Sequence, residues 1–176
     1  LEVEKKILSV TDEKLVVLRV TFLNGNSPLG QRSQHEKILR TLASGSALTL
    51  FEDEIRQPCS AENLSDVIVE LTERPHLNGL FHWAGSEEVS RYELGVRILK
   101  RFGINPDNIL PGSIKNHEAT GQRPQHVSFI LEPLASKVRT QPLSIDEQLA
   151  ELQIPPDLYS WYREFADNPN CYIPRF

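Results

Sequence analysis

Hydrophobic and polar positions alternate along the chain in blocks of two periods. Leu1, Glu4, Ile7 and Leu8 fall at helical spacing, which predicts a helix over residues 1–10. The polar turn Thr11-Asp12-Glu13-Lys14 ends it. Residues 15–22, LVVLRVTF, are β-branched and nearly continuous in apolar character, the pattern of a strand buried on both faces of a parallel sheet. Asn24-Gly25-Asn26-Ser27-Pro28 breaks that strand. A helix follows over 33–44, with Ile38, Leu39 and Leu42 on one face, then a strand over 48–51 and a polar loop over 52–58.

Ser60 is placed to cap a helix over 60–73, whose stripe is Leu64, Val67, Ile68 and Leu71. Asn63 stands where a capping box takes Glu or Gln. A strand over 80–83 and a helix over 90–102 come next, and Gly103 stops that helix. Short strands are expected over 109–111 and 127–131, with an irregular polar loop over 114–125. Ser144 and Glu147 form a capping box for a helix over 144–152. Pro155-Pro156 ends it, a short aromatic helix spans 157–166, and an irregular tail closes the chain. Helix and strand blocks in alternation predict an α/β sheet with helices on its faces.

Length and charge narrow the function. A chain of 176 residues suits one domain. A formal net charge of -5 lacks the basic stripe of a nucleic-acid binder. No apolar run reaches the roughly 18 residues that span a membrane, so a cytoplasmic protein is expected. Cys59 and Cys171 lie far apart, without metal-ligand spacing, and read as free thiols. His35, His76, His117 and His126 show no pairing suited to a metal. The chain has no Met and starts at Leu1 inside a helix that lacks a capping residue. The expectation is a piece of a longer polypeptide.

Three segments, in order, carry a resemblance. Leu18-Arg19-Val20-Thr21-Phe22-Leu23-Asn24-Gly25 resembles the "LRxxxxYG" strand end of extended short-chain dehydrogenase/reductases, with Asn24 in place of the Tyr. FEDEIRQP (51–58) with AENLSDV (61–67) is similar to the loop and helix start of the dTDP-4-dehydrorhamnose reductase-like branch. GLFHWAGSEEVSRYELG (79–95) is similar to that branch's "G-x-(F/Y)-H-x-(A/S)-G" segment, which also occurs in the related regulatory β-subunits of methionine adenosyltransferase. Gly121-Gln122-Arg123-Pro124 matches the branch's Arg-Pro turn; the stretch after it, Phe129 to Lys137, departs from the branch's "LDxSKL".

The resemblance implies the C-terminal part of a Rossmann-like doubly wound sheet with a small mixed α/β substrate-binding lobe, spanning residues 1–176. It places Leu1 directly after the Lys of the family's Tyr-x-x-x-Lys. The N-terminal dinucleotide-binding half would then be absent, and with it the catalytic pair. The parent protein would use NAD or NADP on a nucleotide-linked sugar, and this chain alone would bind neither cofactor. No Gly-rich phosphate turn occurs in the sequence, and Tyr92 has no Lys four residues on.

In an open α/β sheet ligands sit outside the carboxyl ends of the strands. The resemblance places Thr21 and Leu23 at the nicotinamide end of the cofactor. Phe22 would lie against the sugar, or else pack in the core. Asn24 would bond sugar or phosphate, or else serve as a left-handed turn residue before Gly25. Arg56 and Arg123 would hold a diphosphate through paired N–H donors. The competing reading of Arg56 is a surface ion pair with Glu52 or Asp53. His82 reads as a packed, hydrogen-bonded strand residue, Tyr92 as packing under the sheet, and Asp66 as bonding a neighbouring loop. The aromatic tail, residues 157–176, either folds back on its own core or docks on a partner protein, as in the β-subunits. The parent is thus a reductase or epimerase, or a non-catalytic regulatory subunit built on the same fold.

Overall fold

The computed structural model describes residues 2–10, 15–116 and 124–174. Helix α1 is Glu2–Val10. Strand β1, Val16–Val20, pairs in parallel with β6, Gly79–Trp83, in the register Val16↔Gly79 to Val20↔Trp83. The crossover between them carries α2, Gln34–Ala43, and α3, Ala61–Thr72. Two further parallel pairs sit beside this ribbon. One joins β2, Leu23–Asn24, to β5, Cys59–Ser60; the other joins β3, Leu48–Phe51, to β8, Ile109–Gly112. Strand β4, Ile55–Arg56, lies between antiparallel β7, Val89–Ser90, and parallel β9, His126–Val127. Helices α4, Arg91–Arg101, α5, Ile145–Ala150, and α6, Tyr159–Phe165, complete the α/β architecture.

Caps set the helix starts. Ser60 Oγ accepts from Asn63 N, and Ser90 Oγ accepts from Glu93 N. The Ser144–Glu147 capping box is formed as expected, and Ser33 with Glu36 makes another at α2.

The core has two parts. Ile38, Leu39, Leu94, Ile98 and Phe102 gather α2, α4, α5 and α6 around β3 and β8. Trp83, Phe81, Val67 and Leu134 gather α3 against β1 and β6. Trp83 Nε1 donates to Asn63 Oδ1 at 3.0 Å, and Asn63 Nδ2 donates to the Gln141 carbonyl at 2.9 Å, so the largest buried side chain leaves no unmet donor.

Several expectations change. The loop over 52–58 contains β4, and β5 follows it directly. The strand expected over 127–131 shrinks to His126–Val127, because the Phe129 N–H turns aside to Gln57 Oε1 at 2.7 Å. Strand β1 is half-buried rather than covered on both faces, and Ile68 of α3 is 48% exposed. Asp66 is exposed. One turn on, Glu70 holds the neighbouring loop instead, accepting from Arg139 N at 2.6 Å and Thr140 N at 3.0 Å.

The Thr140 N–H, with the other donors, pulls the Glu70 carboxyl from 4.5 down to about 2. A folded value below the unfolded one stabilises the chain fully above pH 4.5, and that contribution is lost as pH falls toward 2. In urea unfolding across this range, Glu70→Gln is therefore expected to show a weaker pH dependence than the parent; an identical slope would refute the anchoring role.

Candidate functional site

The carboxyl end of β1 is fixed by two buried glutamines. The Thr21 hydroxyl donates to the Gln57 backbone carbonyl. Gln57 Nε2 donates to the Gly85 carbonyl at 2.8 Å, just past the end of β6. Gln148, fully buried on α5, accepts from Asn24 Nδ2 at 3.0 Å and donates to the carbonyls of Pro58 at 3.1 Å and Leu143 at 3.0 Å. The ends of β1 and β6, the approach to β5 and the start of α5 thus meet at one node of satisfied amides.

Asn24 lies in β2 and is 3% exposed. Among the described residues only glycines have positive φ, so the left-handed reading of Asn24 is corrected. Phe22 is half-buried, and the Arg91 guanidinium stands 4.5 Å from its ring centroid. Arg91 Nη2 also donates to Gln34 Oε1 at 2.5 Å. Leu23 is 42% exposed.

Arg56 is heavily engaged. Nη2 donates to Glu54 Oε1 at 2.8 Å and to the Pro124 carbonyl at 3.1 Å. Nη1 donates to the carbonyls of Ile55 at 2.7 Å and Gln125 at 3.3 Å. Its ion-pair partner is Glu54, not Glu52 or Asp53. Arg123 lies outside the described residues. Thr21, Phe22 and Asn24 come together at the strand end, while Arg56 braces the segment beyond Arg123.

His82 is packed as expected, with its ring stacked on Phe129 at 4.4 Å. Its Nε2 is buried and has no hydrogen-bond partner among the described residues, which corrects the bonded reading at that atom. Tyr92 packs against the first core. Glu52, Glu88, Glu93 and His126 line a shallow cleft beside β4, and Glu88 pairs with His126 at 2.6 Å. Its carboxylates repel a diphosphate. No group of three metal-ligating side chains occurs among the described residues. Both cysteines are free; burial pushes the Cys59 thiol up to about 12, so it stays protonated near neutral pH. No helix among the described residues is long and apolar enough to cross a membrane.

Gln57, Gly85, Arg91 and Gln148 escape a reading of the sequence. A buried glutamine carries no spacing or motif signal, and Gln148 is 124 residues from Asn24.

Parallel strands with crossover helices, and a polar node at the strand ends, give a Rossmann-like α/β fold. Within that class the chain belongs to the family described as the RmlD substrate binding domain, which matches residues 1–154. The fold is similar to that of dTDP-4-dehydrorhamnose reductase from Bacillus anthracis in complex with NADP, with a TM-score of 0.70 and 20% identity over 83% of this chain and 50% of that one. It is also similar to UDP-glucuronic acid 4-epimerase from Bacillus cereus in complex with UDP-glucuronic acid and NAD. There the TM-score is 0.68, with 12% identity over 93% of this chain and 49% of that one. In sequence, the chain is 25% identical over 116 residues to methionine adenosyltransferase 2 subunit beta of Xenopus laevis, covering 63% of this chain and 34% of that protein. It spans about a third of that relative's length and about half of the solved structures.

Proposed function

We propose that this chain is the substrate-side portion of a nucleotide-sugar reductase or epimerase, with the dinucleotide site and the proton-transferring Tyr-Lys pair supplied from outside residues 1–176. The observation that carries the reading is the braced strand end, where Thr21, Phe22 and Asn24 are held by Gln57 and Gln148. Ligands of open α/β sheets sit at such ends. NAD or NADP, when bound, supplies the hydride chemistry.

In this reading Phe22, backed by Arg91, packs on the sugar. Thr21 and Leu23 form the wall toward the nicotinamide. Asn24 spends its amide on Gln148 and shapes the turn. Arg56 holds the Pro124 and Gln125 carbonyls, and Arg123, which precedes Pro124 in the sequence, supplies paired N–H donors to the diphosphate.

Titration with UDP-glucuronic acid, followed by amide NMR, tests this. Binding on the order of millimolar is expected, with shifts at residues 21–24 that Arg123→Ala abolishes. Unchanged shifts in that variant would remove Arg123 from the site, and no shifts at 21–24 in the parent would overturn the reading. Calorimetry with NADP is expected to give no heat of binding to this chain alone.

A second reading, a non-catalytic subunit of a larger assembly, has one observation in its favour. The curated relatives, 25% and 26% identical, are named as subunits of methionine adenosyltransferase. In that case the chain engages a partner protein through surface the tail leaves open. Tyr162 and Tyr172 are buried in the chain's own core, while Ile173 is 79% exposed.

A further inference from the structure

His35 lies on the first turn of α2, yet it is only 1% exposed. Its Nε2 stands 3.0 Å from the Gln153 carbonyl. A carbonyl only accepts, so the neutral ring carries its proton on Nε2, and a second proton enters at Nδ1. The ring also stacks on Phe102, with centroids 6.3 Å apart. Tyr162 and Tyr172 rest edge-on against that same phenyl ring. The Ile154 N–H, one residue past Gln153, donates to the Tyr172 hydroxyl at 3.1 Å. His35 therefore touches both supports of the C-terminal segment: the ring beneath it and the backbone it is tied to.

Burial holds the His35 ring below the ordinary imidazole value of 6.5; the Glu36 charge and the Gln153 carbonyl act the other way and are outweighed. Glu36 is committed elsewhere, accepting from the N–H groups of Ser27 at 2.6 Å, Arg32 at 2.8 Å and Ser33 at 2.9 Å. Arg40 of α2 is paired with Asp157 at 2.8 Å. From α4, the Arg101 guanidinium stands 5.7 Å from the Phe102 ring centroid and 5.5 Å from that of Tyr172. The folded chain thus prefers the neutral ring. The stability this contributes is complete above pH 6.5 and is lost as pH falls from 6.5 through the lower folded value.

We propose that His35 is a pH-sensitive latch: a proton on it displaces the ring from between Gln153 and Phe102 and frees residues 167–174 from the body of the chain. Helix α2 withstands the loss, because its capping box and the buried Ile38 and Leu39 hold it independently. The tail segment is irregular, and its ties include single bonds from Asn168 N to the Gly103 carbonyl at 3.0 Å and from Asn105 N to Asp167 at 2.8 Å. Segments held this lightly open before the core does. Release uncovers Phe102 and Ile154. The inference concerns the tail and does not depend on the sugar site.

The test follows the full chain by histidine-ring and amide NMR from pH 7.5 to 5.0. His35 is expected to titrate with a midpoint below 6.5, and the Ile154 and Tyr172 amide signals to move with that same midpoint. Exchange protection of the Ile154 N–H, corrected for the intrinsic effect of pH, is expected to fall about tenfold while that of Val17 in β1 holds. His35→Gln keeps a donor for the Gln153 carbonyl and cannot take the charge, so its tail is expected to stay closed across the range. Should that variant fail to fold, the shared midpoint in the parent decides. Tail signals that stay still, that follow another histidine, or that still move in folded His35→Gln would overturn the proposal. So would loss of Val17 and Ile154 protection together, which would mean that the proton unfolds the whole chain.

Discussion

Gly85→Ala is expected to cost the chain about 3 kcal/mol through overpacking, with a further loss of about 1–3 kcal/mol if the Gln148 amide is driven from its partners. Gly85 follows β6 at the centre of the amide node. Its N–H donates to the Pro58 carbonyl at 2.8 Å, and its carbonyl accepts from Gln57. An added Cβ would overlap Gln148 Nε2 and the Pro58 carbonyl, and would stand 2.9 Å from the Leu143 carbonyl. Two of these three neighbours are backbone, which cannot swing aside as a side-chain tip can. Gln148→Ser in the same chain would relieve the side-chain overlap alone, so it should recover part of the loss and no more. Urea unfolding checks both variants, and an unchanged midpoint for Gly85→Ala would refute the close packing at this node.

Phe102→Ala is the second large effect, at about 3–5 kcal/mol for a fully buried ring. Phe102 ends α4 and stands edge-on to Tyr162 at 6.4 Å and Tyr172 at 5.3 Å. Tyr172 also reaches back, its hydroxyl accepting from the Ile154 N–H at 3.1 Å. Removing the ring takes away the surface on which the tail rests. The variant is expected to lose stability and to be cleaved by protease within 159–174 sooner than the parent. Destabilisation without earlier tail cleavage would mean that the tail is held elsewhere.

The parts of this fold that show in the sequence are those with a local physical signature. Ser60, Ser90 and Ser144 mark helix starts because an N-cap needs a short acceptor at one position. Ile38, Leu39 and Leu42 repeat at helical spacing and are buried. Strands of two residues are too short to show any period, so β4 passes for loop, β5 goes unseen where that loop meets the next helix, and β9 is overextended. Strand β1 has the apolar run of a doubly covered strand, yet it is half-exposed here.

Among the site residues, Phe22 and Asn24 can be picked out because they lie at a strand end. Their neighbours cannot. The Arg56–Glu54 pair depends on how the chain enters a two-residue strand, and Gln148 becomes relevant through a contact made across the chain.

The same contact sets an order of events during folding. The turn at residues 21–24 is made before its amide partner Gln148, which follows 124 residues later. Contacts of such separation pay loop-closure entropy before they return any stability, and they slow folding. On the ribosome the chain emerges N-terminal end first. Helices α2, α3 and α4 can therefore form while the strand-end turn still waits for α5. The site proposed to hold the sugar is among the last places on this chain to take its final shape.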